Sequence, residues 1–377
     1  MEHVTVAATG DVSTGHEPPE SAFAQILEPL RSADLRFGQV ERLYTERGSF
    51  QEQGGPSAVP ARQHPRIATA FKSVPFDVLS IASNHSGDWG PEGVEDTAET
   101  FRLLGISTVG AGRNIAVARK PAILTRNGLH IAFLGYVSTT LPQFWANETR
   151  AGSAPMRAHT FYEPYEFQPG APARVVTVPH AADLAQLVAD VKQTRQNADL
   201  VFVSLHWGVH YVPRPCDYQP VVAHAAIDAG ASVILGHHPH QPQGVEIYKE
   251  GVIFYSIGNF AIPPRKRGHS YAMPQGEYLQ RDIYTIEPDP GFVFDYRRHF
   301  KEGGIVFIEA ERAGIRGVTY LPTLMNEAGQ PQALHPRQPQ FEKSLAFMNW
   351  AGKFIPGGVT DMKAVGDRYE VFARSSA

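Results

Sequence analysis

Cysteine is all but missing from this chain: Cys216 stands alone among 377 residues. One thiol excludes an internal disulfide and any cysteine-based zinc site. Charge is sparse as well, with 34 Lys and Arg against 38 Asp and Glu. The formal charge of −4 lacks the basic surplus of a dedicated nucleic-acid binder. No window approaches the roughly 18 unbroken apolar residues of a membrane span. The opening "MEHVTVAATGDVSTG" has neither the basic segment nor the apolar stretch of a secretory signal. These absences lead to the expectation of a soluble, cytoplasmic protein that binds neither nucleic acid nor membrane, of open oligomeric state. What the chain has in excess is histidine, 16 in all. Three of them fall in "GHHPH", residues 236–240, directly after the apolar run "ASVIL".

Short β-branched and aromatic runs recur along the chain: "HVTVAA", "DLRFGQV", "DVLSIA", "HIAFLGY", "DLVFVSL", "ASVIL", "VIFYSIG" and "GIVFIEA". Their nearly continuous apolar character suits strands covered on both faces. Segments with helical spacing lie between them, including "ESAFAQILEPLRSA", "HPRIATAFKSV", "PEGVEDTAETFRLLG", "ADLAQLVADVKQTRQ" and "YQPVVAHAAIDAG". The alternation predicts a layered α/β fold. We expect one domain with a core over about residues 3–260, an insertion loop over about 137–180 and a C-terminal extension over about 261–377. The stretches 137–180 and 261–300 are rich in Pro and aromatics with little periodicity, as in lids or binding loops.

The informative pattern is where polar residues fall. Asp11 follows "VTVAAT", Glu41 follows "DLRFGQV", Asn84 and His85 follow "DVLSIA", His206 ends "DLVFVSL", and the GHHPH loop ends "ASVIL". Ligands of open α/β sheets collect at the carboxyl ends of strands. Taken singly, such an Asp is usually a cap and such a His usually structural. Five strand ends bearing carboxylate, carboxamide or imidazole favour a shared site, and this donor set suits Zn, Mn or Fe. A divalent ion there would activate water at neutral pH.

"GDVSTG", "VERLYTERG", "ASNHSGDWG", "SLHWGVHYVPRP" and "ILGHHPHQPQGVEIYKEGVIFYSIGNF" resemble, in order, the successive blocks of the CapA family of poly-γ-glutamate capsule synthesis, within the calcineurin-like metallophosphoesterase fold. The resemblance covers roughly residues 4–260. It implies central mixed sheets flanked by helices, with two long insertion loops. It also implies one metal position served by Glu41, Asn84, His206 and His238, and a second served by Asp11 and His240 with Glu41 bridging. His85 takes the acid or electrostatic role beside the transferred oxyanion, and Asp88 orients it. The chain departs from the pattern at Ser13, where metallophosphoesterases carry His, and at Gln39, where CapA relatives usually carry Asn.

Arg214 in "YVPRP" is a candidate to grip a carboxylate or phosphate, or else an exposed turn residue. Tyr211, His237 and Arg298 are further candidates to touch substrate. Arg297, Arg298 and His299 form a run that reads by default as a solvated face, or as cations and an acid/base imidazole over the site. Trp145, Phe161, Tyr162 and Tyr165 are candidates to line a peptide groove or to anchor their loop.

Three functions compete. The first is a metal-dependent hydrolase or transferase acting on a glutamyl or other anionic peptide, or on a phosphoester. The second is a peptide-tailoring epimerase that needs no metal, with Asp11 and His299 as the two bases acting at Cα. The third is a non-catalytic scaffold that binds a peptide or polyanion.

Overall fold

The computed structural model describes residues 2–51, 62–164, 173–263 and 296–374. Two mixed sheets form the centre. The first contains β1 (His3–Val12), β2 (Leu35–Val40), β3 (Val78–Ser80) and β4 (Ser107–Val109), side by side and parallel. The second contains β5 (Ala122–Arg126), β6 (Leu129–Val137), β9 (Leu200–His206), β10 (Val233–His237), β11 (Val245–Tyr248) and β12 (Gly251–Phe254). Its order is β11-β12-β10-β9-β6-β5, with the four inner strands parallel and both edge strands antiparallel.

The C-terminal stretch, expected as an extension, supplies much of the first sheet. β14 (Glu302–Glu311) pairs antiparallel with β1, and β15 (Gly314–Met325) pairs with β14. β16 (Pro331–Ala333), β17 (Lys363–Val365) and β18 (Arg368–Ala373) complete that side, while the short β13 (Asn259–Ala261) runs parallel to the end of β1.

Period-two alternation explains why the sheets stack. Along β1, Val4, Val6 and Ala8 enter the core between the sheets while Ala7 faces the outer layer, and a register shift past Ala8 turns Val12 to the outer layer as well. Along β9, Leu200 and Phe202 face inward, and Val201, Val203 and Leu205 outward. Phe37 of β2 stacks on Phe133 of β6 with ring centroids 5.5 Å apart, and Phe133 meets Phe202 at 5.0 Å. Helices cover the outer faces: α1 (Gly90–Leu103) outside the first sheet, and α2 (Ala181–Arg195) and α3 (Tyr218–Asp228) outside the second. The layered α/β architecture expected from the sequence is the one present. α4 (Pro339–Gly352) packs near the C-terminal strands, with Phe341 against Tyr369.

All eight apolar runs fall on strands. Two of the expected helices do not form as single units. "ESAFAQILEPLRSA" splits into a 3-10 turn, Pro19–Phe23, and a five-residue helix, Leu27–Arg31. "HPRIATAFKSV" splits in the same way at Thr69. The stretch 137–180 is more ordered than its composition suggested. It contains a 3-10 turn, Pro142–Phe144, and an antiparallel hairpin of β7 (Ala158–Pro164) and β8 (Ala173–Pro179). Most of this hairpin is exposed on both faces, so it carries no apolar stripe by which the sequence could reveal it. Residues 264–295, Tyr165 and the Arg297 side chain lie outside the described residues.

Candidate functional site

Parallel strands of both sheets bring their carboxyl ends to one edge, and the polar residues gather there. Close backbone crossings make the convergence possible. A Cβ at Gly10 would lie 1.9 Å from the Gly258 carbonyl, and one at Gly236 would lie 2.0 Å from the Tyr255 carbonyl. Without side chains at these points, Asp11 N donates to Gly258 O at 2.9 Å and Ile257 N to Gly236 O at 3.0 Å. The following loop is strained: His238 has φ +96° and His240 has φ +57°. Such conformations cost on the order of 1–3 kcal/mol each for residues other than glycine and concentrate at functional sites.

Two linked groups of donors result. In the first, Asn84 Oδ1 is 2.9 Å from His206 Nε2, which is 3.1 Å from His238 Nδ1. In the second, His240 Nε2 is 3.2 Å from Glu41 Oε1, and His240 Nδ1 lies 2.8 Å from Asn259 Oδ1 and 3.7 Å from Asp11 Oδ2. Asp11 joins the groups, because its Oδ2 also accepts from the His238 backbone N–H at 3.1 Å. Ser13 Oγ donates to Glu41 Oε2 at 3.3 Å. Asp11 Oδ1 and Glu41 Oε1 are buried without an aligned hydrogen bond, and each has an imidazole nitrogen beside it, His237 Nδ1 at 3.4 Å and His240 Nε2 at 3.2 Å.

Burial pushes the His206 and His238 imidazoles well below their ordinary range, and neighbouring histidines add to this. Burial alone would raise Glu41, but the charge and hydrogen bond of His240, with His85 and Arg42, hold it well below the usual carboxylate range. Burial would lower His240, but Glu41, Asp11 and the Asn259 contact lift it to about 9. The two shifts agree on a Glu41 carboxylate paired with a His240 imidazolium.

The donor set fits a divalent ion at Asn84, His206 and His238. Donors sharing an ion with bonds of ~2.1 Å lie roughly 3.0–3.4 Å apart in octahedral or tetrahedral order, close to the spacings seen. Counting His, Cys, Asp and Glu alone, no group of three among the described residues could hold an ion as placed. The first group contains two imidazoles, and its third donor is a carboxamide.

His85 Nδ1 is 2.7 Å from Asp88 Oδ2, and Asp88 is buried. A carboxylate on one ring nitrogen leaves Nε2 to face a substrate. His85 lies near enough to Glu41 and His238 to bear on both, beside the donor cluster. Beside this loop lies a cavity of about 180 Å³, lined in part by Gln51, Gly87, Gln143 and Arg150.

The substrate candidates are more scattered. Tyr211 lies over the site, its ring 5.8 Å from His240. His237 is fully buried with Nδ1 3.4 Å from Asp11 Oδ1 and its ring 6.1 Å from Phe37, so it lies beneath Asp11. Arg214 is exposed. Arg298 donates to Glu302 at 2.8 Å; His299 is buried, bonded to Glu302 at 2.8 Å and stacked on Phe347 at 3.8 Å. Phe161 and Tyr162 are exposed on the β7–β8 hairpin, while Trp145 is half-buried. Two residues at the site are not among the candidates drawn from the sequence. His210 lies with its ring 3.9 Å from His238, and Asn259 holds His240. The second histidine of "HWGVHY" and the Asn of "SIGNF" were the available signals.

The family model for bacterial capsule synthesis protein PGA_cap matches residues 5–263. The chain belongs to this family. Within it, the chain is 29% identical over 271 residues to the capsule biosynthesis protein CapA of Bacillus anthracis, covering 69% of this chain and 60% of that one. It is 30% identical over 251 residues to the PGA biosynthesis protein CapA of Bacillus subtilis, covering 66% and 58%. The aligned part thus spans about three fifths of the length of these curated relatives. Among solved structures, a phosphatase from Mycoplasma pneumoniae aligns at 12% identity with a TM-score of 0.46, over 94% of this chain and 100% of that one. The NAD nucleotidase of Haemophilus influenzae aligns at 13% with a TM-score of 0.38, over 94% and 63%. Scores at this level carry no functional argument. No helix among the described residues is long and apolar enough to cross a membrane.

Proposed function

We propose that this PGA_cap family member is a cation-dependent hydrolase or transferase acting on an anionic, peptide-like or phosphoester substrate. The observation that carries the reading is the run of three Lewis bases, Asn84 Oδ1, His206 Nε2 and His238 Nδ1, at 2.9 and 3.1 Å. Asn84, His206 and His238 would hold one cation, while Glu41 and His240 stay paired with each other beside it. A divalent ion there supplies charge to the transferred group and lowers the pKa of water, as Zn, Mn or Fe do.

The remaining chemistry falls to the chain's own groups. Asp88 fixes the His85 ring through Nδ1, so that Nε2 is turned to the leaving group, where the ring would serve as general acid. Asn259 and Asp11 fix the His240 ring through Nδ1. The names of the relatives, capsule biosynthesis and PGA biosynthesis proteins, favour a glutamyl or similar anionic polymer as substrate.

The epimerase reading has less support. His299 is stacked on Phe347 and bonded to Glu302, and Asp11 is fully buried under the GHHPH loop, so neither is presented as a free base. Turnover of glutamyl peptides and phosphoesters in ¹⁸O-labelled heavy water separates the two chemistries. The hydrolase reading expects one labelled oxygen in the product and no deuterium at Cα. Deuterium at Cα without cleavage would overturn it.

A further inference from the structure

We propose that the cavity beside the His85 loop is a subsite for a carboxylate that the substrate carries next to its reacting bond, gripped by Arg150. The inference rests on reading His85 as the group beside that bond and adds the recognition element for the neighbouring part of the substrate. The cavity, of about 180 Å³, forms where residues 143–152 lie across residues 87–94. Cavities of ~150 Å³ admit a ligand the size of benzene, so a carboxylate on a short methylene stem fits. Pro91, Val94 and Phe144 offer apolar surface to such a stem, and Gln51, Gln143 and Arg150 offer polar groups to its end. A Cβ at Gly87 would fall 1.9 Å from the Phe144 ring. The two segments therefore close on each other only because residue 87 has no side chain.

Arg150 is fixed in place by neutral groups alone. Its backbone N–H donates to Asn147 Oδ1 at 2.7 Å, its carbonyl accepts from Asn147 N at 3.2 Å, and its Nη2 donates to Trp145 O at 3.0 Å. Its Nε is buried without a partner. Among the described residues no carboxylate pairs with this half-buried guanidinium, whereas Arg119 and Arg157 each pair with an aspartate. A cation withdrawn from water without a counter-charge is unfavourable, and a carboxylate entering the cavity would supply that charge. The planar guanidinium fork matches a carboxylate edge. One positive charge flanked by two carboxamides balances the single negative charge of a carboxylate. The subsite is also tied to the reacting side, since Gln51 N donates to Asp88 O at 2.7 Å and Asp88 orients His85. Gly87 is two residues from His85, a span of at most about 7 Å that an extended peptide-like chain covers in about two residues. The cavity would thus select an acidic group adjoining the one that reacts.

The test uses the full chain with glutarate as probe and inorganic phosphate as a second arm. Wild-type protein, Arg150→Gln, Arg150→Lys and His206→Ala are titrated by calorimetry at constant ionic strength. The His85 imidazole signals, assigned with His85→Ala, are followed by NMR. The expected result is glutarate binding by wild type and His206→Ala alike. Arg150→Gln should weaken it at least ~10-fold, the ordinary worth of a hydrogen bond to a charged group, and Arg150→Lys should weaken it less. Glutarate should also move the His85 signals of the wild-type protein. Thermal melting of Arg150→Gln at the wild-type value separates loss of the grip from loss of the fold. Glutarate affinity unchanged in Arg150→Gln, or no glutarate binding by wild type, would overturn the proposal. Phosphate bound through Arg150 in place of glutarate would overturn the carboxylate assignment, and unmoved His85 signals would overturn the placement beside the reacting bond. Because His206→Ala breaks the proposed cation site, binding that survives in it keeps this result separate from the fate of the cation reading.

Discussion

Gly236→Ala tests the link between backbone packing and the site, because the clash it creates can be measured from the structure. Gly236 precedes the histidine loop on β10. A methyl group there would meet Tyr255 O at 2.0 Å and Phe254 O at 2.5 Å, where real Cβ contacts essentially never fall below 3.0 Å. Both obstacles are backbone, so β10 and the segment after β12 must part by about 1 Å, a shift that overpacking of this kind commonly forces. The displaced Tyr255 carbonyl also accepts from the Trp207 indole at 2.9 Å. Overpacking costs typically 1–3 kcal/mol and a weakened hydrogen bond ~1 kcal/mol, so a loss of about 2–4 kcal/mol is expected. The same shift moves His238 relative to His206, and a misplacement of ~1 Å can lower a rate by ~10²-fold. Urea unfolding gives the stability, and cobalt titration the site. The control is Gly317→Ala on β15, where the nearest atom to a new Cβ is 3.7 Å away; it should change stability by less than about 0.5 kcal/mol. Equal unfolding midpoints and equal ion affinity for wild type and Gly236→Ala would refute the reasoning.

Three further outcomes rest on the same geometry. His85→Ala should lower kcat by on the order of 10²–10⁴-fold, the usual worth of a positioned general acid, and Asp88→Asn should lower kcat more than it raises KM, both read from steady-state kinetics. Phe37→Ala removes a fully buried ring stacked on Phe133 and should cost about 3–5 kcal/mol in urea unfolding. For Asp183, burial alone would raise the carboxyl, but the hydrogen bonds from Arg157 hold it below its ordinary 3.8. A depressed folded value means the pair's stabilisation is complete above about 3.8 and is lost as pH falls through the folded value. The unfolding midpoint of Asp183→Asn should therefore fall less steeply than that of wild type below pH 4.

Much of the layering was legible because strands buried on both faces must be apolar throughout, as in "DLVFVSL" and "ASVIL". The site's strand-end residues were legible for a related reason. One polar side chain at the end of such a run is usually a cap or structural, but Asp11, Glu41, Asn84, His206 and His238 all stand at strand ends, and the coincidence points to a shared site. His210 was not, since it lies four residues beyond its strand and reaches the site through a loop whose path depends on Tyr211 φ and the Pro239 contact. His237 and His299 were chosen by residue type alone, and the side of the backbone that each faces is set by packing against Phe37 and Phe347. The β7–β8 hairpin escaped because nothing covers most of it, so no apolar period marks it. The helix expected over residues 20–33 broke into short turns, with Pro19 opening the first and Pro29 inside the second.

The central claim is that Asn84, His206 and His238 share one cation. Crystals grown with saturating Mn or Zn, and data collected at the metal's absorption edge, test it directly. The account predicts an anomalous peak about 2.0–2.2 Å from Asn84 Oδ1, His206 Nε2 and His238 Nδ1, the span of metal bonds to nitrogen and oxygen. An ordered cleft with no peak between those three atoms, at an ion concentration that saturates the protein in solution, would contradict it.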